Sequence, residues 1–132
     1  MNKSFVILFV YLTLCSCYKT ERNCKDYKTG MFELKYFQEG IEKRGKFRRT
    51  AAYNIDYYDN NIDSSTVRWI NDCEFILEKL NPNTENESKA IHMKILTTTD
   101  SSYTFEYKYA VKDPYKPLKV FKGEAKRLDR ND

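Results

Sequence analysis

An all-β fold, an antiparallel meander of about eight short strands forming a small barrel or a curved sheet, is predicted by three observations. Eleven tyrosines and eight phenylalanines in 132 residues favour strands. Apolar and polar residues alternate with a period of two in segment after segment, as expected of sheets with one face on a core. No stretch sustains a helical period, and turn residues recur at short intervals.

The first strand opens at Gly30, with Phe32, Leu34 and Tyr36 alternating with Glu33 and Lys35. Gln38-Glu39-Gly40 is a turn, and Ile41 to Phe47 returns antiparallel. Tyr53-Asn54-Ile55-Asp56-Tyr57 alternates again before a turn-rich run, Asp59 to Ser65. The densest alternation follows: Val67, Trp69, Cys73, Phe75 and Leu77 on one side, Arg68, Asp72, Glu74 and Glu78 on the other. Asn71-Asp72 is a turn inside it, so Thr66 to Leu80 is one bulged strand or a hairpin. A hairpin with an odd loop is preferred, because it pairs Trp69 with Phe75 and Val67 with Leu77 on one face and leaves Cys73 at the loop. Asn81 to Ser88 is a solvated loop by composition. Ile91, Met93, Ile95 and Thr97, then Tyr103, Phe105, Tyr107, Tyr109 and Val111, form a hairpin around Thr99 to Ser102. Asp113 to Pro117 breaks the pattern, and Val120 to Leu128 is a last strand with a bend or bulge at Gly123.

Ahead of these strands, Lys3 precedes an apolar run from Phe5 to Leu14 and then Cys15-Ser16-Cys17. Ten apolar residues make a helix of roughly 15 Å, half of the ~30 Å hydrocarbon core, so the segment reads as an export signal over 1–16. Its end is similar to the lipobox of bacterial lipoproteins, with Cys17 as the residue to be acylated; an ordinary signal peptide is the alternative. Several acyl chains on Cys17 would anchor the mature chain durably. Tyr18 after Cys17, where an Asp would retain a lipoprotein in the inner membrane, points to the outer membrane, with the domain periplasmic or surface-facing. Residues 17–29 are then a lipidated N-terminus and tether, and 30–132 a single β domain.

Removal of 1–16 leaves 116 residues and reduces the net charge from +4 to +3. It also leaves Cys24 and Cys73 as the internal cysteines. In an oxidising compartment they are expected to pair, at 49 residues' separation, which stabilises by roughly 4 kcal/mol in the chain-entropy model. A metal pair or a free thiol is the alternative, weakened by the single histidine and the lack of a CxxC spacing.

Lys43, Arg44, Lys46, Arg48 and Arg49 put five cations in seven residues. The low net charge argues against nucleic acid. A solvated hairpin is the simplest reading, and contact with anionic headgroups or lipopolysaccharide the functional one. Trp69, Phe75, Tyr103, Phe105 and Tyr107 are core residues by pattern and candidates to line a ligand cavity, since small meander barrels often enclose one. His92 lies on the polar side of its strand, and Ser64, Ser65, Ser101 and Asp100 are turn formers, so no catalytic triad, metal site or cofactor site is assembled.

Three runs, Asn23 to Gly30, Arg68 to Phe75 and Ile91 to Thr97, resemble a group of small lipoproteins of Bacteroidota-type bacteria. The resemblance covers most of the mature chain and both cysteines, and carries no activity onto any residue. Members have borne the label DNA topoisomerase IV. That activity needs hundreds of residues with a nucleotide site, an acidic metal cluster and a cleavage tyrosine in a winged-helix setting, none of which this chain assembles. By strand number the domain is also similar to lipocalin-like barrels, an analogy of fold alone. The expectation is a non-enzymatic, outer-membrane-anchored lipoprotein without cofactor or nucleic acid, serving as a small binding or envelope-structural module for a protein partner. A lipocalin-like carrier of a small hydrophobic ligand is second, and an envelope enzyme third. Solvent-filled space inside the barrel beside Tyr103, Phe105 or Tyr107 would favour the carrier.

Overall fold

The computed structural model describes residues 22–128. The export signal (1–16) and Cys17 lie outside the described residues.

Eight antiparallel strands run in chain order and close into a barrel: β1 (Gly30–Gln38), β2 (Ile41–Arg49), β3 (Tyr53–Tyr58), β4 (Asn61–Asn71), β5 (Glu74–Lys79), β6 (Ile91–Thr98), β7 (Ser102–Tyr109) and β8 (Phe121–Arg127). Closure comes from β1 pairing with β8, Phe32 opposite Arg127 and Tyr36 opposite Gly123. Every strand thus has two neighbours over at least part of its length, which leaves little free sheet edge. A four-residue helix, α1 (Glu85–Ser88), lies in the β5–β6 connection. It is capped by Thr84, whose hydroxyl accepts from the Glu87 amide, while the Glu87 carboxylate accepts from the Asn83 amide.

The hairpins follow local chemistry. Glu39-Gly40 and Asp59-Asn60 all take positive φ, giving two-residue turns of the mirror-image kind that match strand twist. The second turn is tighter than the sequence reading allowed. Asn61 to Ser65, expected to belong to a turn, are strand residues of β4, because the two αL residues at 59 and 60 complete the reversal by themselves. In the β4–β5 hairpin Val67 faces Leu77 and Trp69 faces Phe75, with a bulge between Trp69 and Asn71. The turn is the two residues Asp72-Cys73 and not the odd loop expected, and the bulge supplies the extra residue that keeps both apolar pairs inside.

Cys73 is joined to Cys24 by a disulfide, S–S 2.04 Å. Cys24–Tyr27 is a 3-10 turn with both end residues buried, so part of the span expected to be tether belongs to the fold. It closes one end of the barrel. The Tyr27 hydroxyl donates to Thr99 O at 2.5 Å, the Asn23 amide to Thr98 Oγ1 at 2.9 Å, and Arg127 donates to the carbonyls of Asp26 and Thr29. Phe32 and Phe47 stack at 5.0 Å below this plug, with Tyr103, Phe105, Ile95 and Ala125 completing the core.

Gly123 is not at a bulge. Its register with Tyr36 and Phe105 runs straight through. An added Cβ would lie 2.5 Å from Phe105 Cζ and 2.7 Å from Lys35 O, so the glycine makes room for an inward-pointing ring.

Candidate functional site

At the end opposite the plug the barrel is hollow. A cavity of about 480 Å³ opens there, lined from β1–β3 and β5–β8, a volume within the range of small-molecule sites. Its walls are mainly apolar and aromatic, with Leu34, Phe47, Leu77, Met93, Phe105 and Tyr107 among them. The plugged end and this wall share one inward row of alternating positions, and the packing thins midway along β1 and β2: Phe32 faces Phe47, but Leu34 faces Gly45. Space appears where the partner of a large side chain is a glycine.

One wall is incomplete. β2 pairs with β3 only from Lys46 to Arg49, so Ile41 to Gly45 have β1 alone as a neighbour. Arg44, Lys46 and Tyr57 line the cavity although alternation turns them outward, which marks a lateral opening beside Gly45. Exposed apolar side chains stand around the mouth, Phe37 and Ile41 at the ends of β1 and β2, Ile62 at the start of β4, and Val111 and Tyr115 in the β7–β8 connection, the last 94% exposed. The same rim carries exposed charged residues, among them Glu39, Asp59, Lys112 and Lys116, whereas the opposite end is sealed.

Arg49 of β2 and Asn54 and Asp56 of β3 bring a connected set of polar groups into the interior. Arg49 is 3% exposed. Its Nη1 donates to Tyr27 O at 3.1 Å, its Nη2 to the Tyr103 hydroxyl at 3.0 Å and its Nε to Asn54 Oδ1 at 3.1 Å. The guanidinium carbon lies 4.4 Å from the Phe75 ring centroid and 5.1 Å from that of Phe47. A buried charge is tolerated only when its donors are used, and here carbonyl, hydroxyl, amide and ring faces meet that demand. Asn54 passes the polarity on: its Nδ2 donates to both Asp56 carboxylate oxygens at 3.1 Å. Asp56, half-buried in the cavity wall, ends the chain. Burial holds its carboxyl above the usual range, opposed by the Asn54 hydrogen bond and the Arg49 charge.

Asp63 faces Asp56 directly across β3–β4 and meets a different fate. It accepts from the Tyr58 hydroxyl, and Lys79 Nζ is 3.2 Å away. The Tyr58 hydrogen bond above all holds its carboxyl below the usual range.

Of the residues expected to line a cavity, Tyr103, Phe105 and Tyr107 do so. Trp69 and Phe75 do not. They pack together at 4.5 Å toward the plug, with Phe75 fully buried and Lys28 Nζ 4.8 Å from the Trp69 ring, because the Trp69–Phe75 pair lies next to the disulfide turn. The basic cluster is also divided. Alternation along β2 puts Arg44, Lys46 and Arg48 outside, leaves Lys43 exposed near the mouth, and turns Arg49 into the core, where it cannot meet an anionic surface. His92 is on the outer wall, its Nε2 3.4 Å from Glu74 Oε1. Glu74 is held below the usual range by the Asn71 hydrogen bond first and by His92 in part.

Asn54 and Asp56 were missed by the sequence reading, since Tyr53, Ile55 and Tyr57 present the apolar side of β3. A usable indication was available. If Val67 and Trp69 point inward, so do Ser65 and Asp63, and the turn at 59–60 then places Asp56 and Asn54 beside them. The chain matches no family model, no curated protein and no solved structure.

Proposed function

We propose that this protein is a lipid-tethered carrier, a non-catalytic barrel that takes a small, largely apolar ligand and is held at the outer membrane through Cys17. The observation that carries this reading is the largely apolar cavity of about 480 Å³, closed by the disulfide-pinned plug at one end and open at the other. A barrel serving only as a structural module gains nothing from an interior void, which forfeits packing contacts. The presence of the void therefore raises the carrier above the partner-binding or envelope-structural module that the sequence favoured.

Two measurements test the two halves. A neutral apolar fluorophore, N-phenyl-1-naphthylamine, should bind the mature domain with saturable enhancement, and Leu34→Trp, which fills the cavity, should abolish it. Failure of the folded wild-type domain to bind defeats the carrier reading. Cys17→Ala should release the protein from membranes, and a variant that stays membrane-bound defeats the tether.

A further inference from the structure

Resting on the carrier reading, we infer that the ligand is an amphipathic amine, its ammonium group held by Asp56 and its apolar body by the aromatic wall. Asp56 is on the inward row of β3, reaches the cavity, and has Phe47 as its direct cross-strand neighbour on β2. An ammonium group against the carboxylate would thus also meet an aromatic face, the pairing that favours cations in desolvated sites.

The contrast with Asp63 carries the argument. Two carboxylates face each other across one strand pair. Asp63 is closed off by Lys79 and Tyr58. Asp56 receives only the side-chain amide of Asn54, and the salt bridges among the described residues do not include it. A half-buried carboxylate facing a cavity retains unused acceptor positions, and a ligand cation with N–H donors supplies what they lack.

Cations near the site do not reverse this. Arg49 is behind Asn54 with its donors directed at Tyr27, Tyr103 and Asn54, so it cannot turn to a ligand carboxylate without leaving those acceptors empty. Arg44 is turned outward at the lateral opening and paired with Glu42 at 2.8 Å and Glu33 at 3.7 Å. Lys46 is outward and exposed, where solvent screens it. At roughly 30 Å³ for each water-sized group, the cavity has room for about 16 non-hydrogen atoms, the scale of a single-chain amine of about ten to twelve carbons.

The test compares decylamine, decanol and decanoic acid by displacement of N-phenyl-1-naphthylamine at pH 7, with wild type and Asp56→Asn. Decylamine should bind about tenfold or more tightly than decanol, the scale of one charge-assisted hydrogen bond in a desolvated site. Asp56→Asn should remove that preference, bringing the amine-to-alcohol ratio near one. Decanoic acid binding tightest, or an amine preference that survives in Asp56→Asn, overturns the assignment while leaving the carrier intact. If the fluorophore and all three decyl compounds fail with folded wild type, the carrier reading itself falls and takes the assignment with it. Should Asp56→Asn not fold, the amine-to-alcohol ratio of the wild type decides, and a ratio near one overturns the proposal.

Discussion

Replacing Arg49 with methionine tests whether the plugged end is held by one buried cation. Methionine fills a similar length and can keep contact with the Phe47 and Phe75 faces, so what is lost is chiefly the three hydrogen bonds at 3.0–3.1 Å. Tyr27 O and Asn54 Oδ1 keep none from Arg49 and are orphaned, at about 1–3 kcal/mol each. Ring–cation contact adds about 0.5–2 kcal/mol to the loss, while relief of the guanidinium's desolvation offsets part of it. The expected destabilisation is about 2–4 kcal/mol. Arg49→Lys should fall between, since one ammonium group cannot span three acceptors set around a planar fork. Urea unfolding of the oxidised domain, followed by fluorescence of Trp69, measures both. A methionine variant within about 0.5 kcal/mol of wild type would show that the cation is a passenger and refute the account of the closed end.

Three further outcomes are expected. Cys24→Ala with Cys73→Ala should destabilise by roughly 4 kcal/mol, because the bridge closes a 49-residue separation, and urea midpoints with and without reductant should show the same difference in wild type and none in the variant. Gly123→Ala should destabilise by about 1–3 kcal/mol through contact with Phe105 and Lys35 O, and Phe105→Leu in the same chain should recover only part, since the backbone oxygen remains; a neutral Gly123→Ala contradicts the close approach. For Asp56, burial raises the native carboxyl value, so the native state holds its proton more tightly than the unfolded chain. Stability therefore falls as pH rises from the unfolded value of about 3.9 through the raised native one. Asp56→Asn should be more stable than wild type at pH 7 and equal to it near pH 3. Asp63 has the opposite sign, so Asp63→Asn should be less stable at pH 7; urea midpoints across pH check both, and parallel behaviour of the two variants would be inconsistent with their different surroundings.

Strand number, strand order and the central register were legible because each has a local cause. Alternation marks the strands, αL-tolerant residues mark turns, and a one-residue slip between Trp69 and Phe75 would have turned every core side chain of that hairpin outward. The interior polar row was harder to read for an equally physical reason. On β3 the apolar positions Tyr53, Ile55 and Tyr57 face outward, so the pattern that identifies a core elsewhere points the wrong way there. Only propagation of register from β4 across the Asp59-Asn60 turn corrects it. Arg49 was hidden by its neighbours: in a run of five cations a buried one is indistinguishable until pairing with β1 sets it on the same face as Phe47.

The polar interior can be understood as two halves with different purposes. At the plug, Tyr103, Arg49 and Asn54 are mutually satisfied, and burial pushes the Tyr103 phenol up, keeping it neutral as an acceptor for Arg49. That half fixes the closed end. Asn54 then uses its remaining amide group on Asp56, which holds the carboxylate in place without neutralising it. A lysine in reach of Asp56, as Lys79 is of Asp63, would make a more stable empty barrel and a poorer receptor for a cation. The predicted gain in stability of Asp56→Asn at neutral pH and its predicted loss of amine preference are thus one claim read in two ways. If the substitution stabilises the domain yet leaves amine binding untouched, the carboxylate is merely a strained wall residue; if it removes the preference as well, the strain is what the ligand relieves.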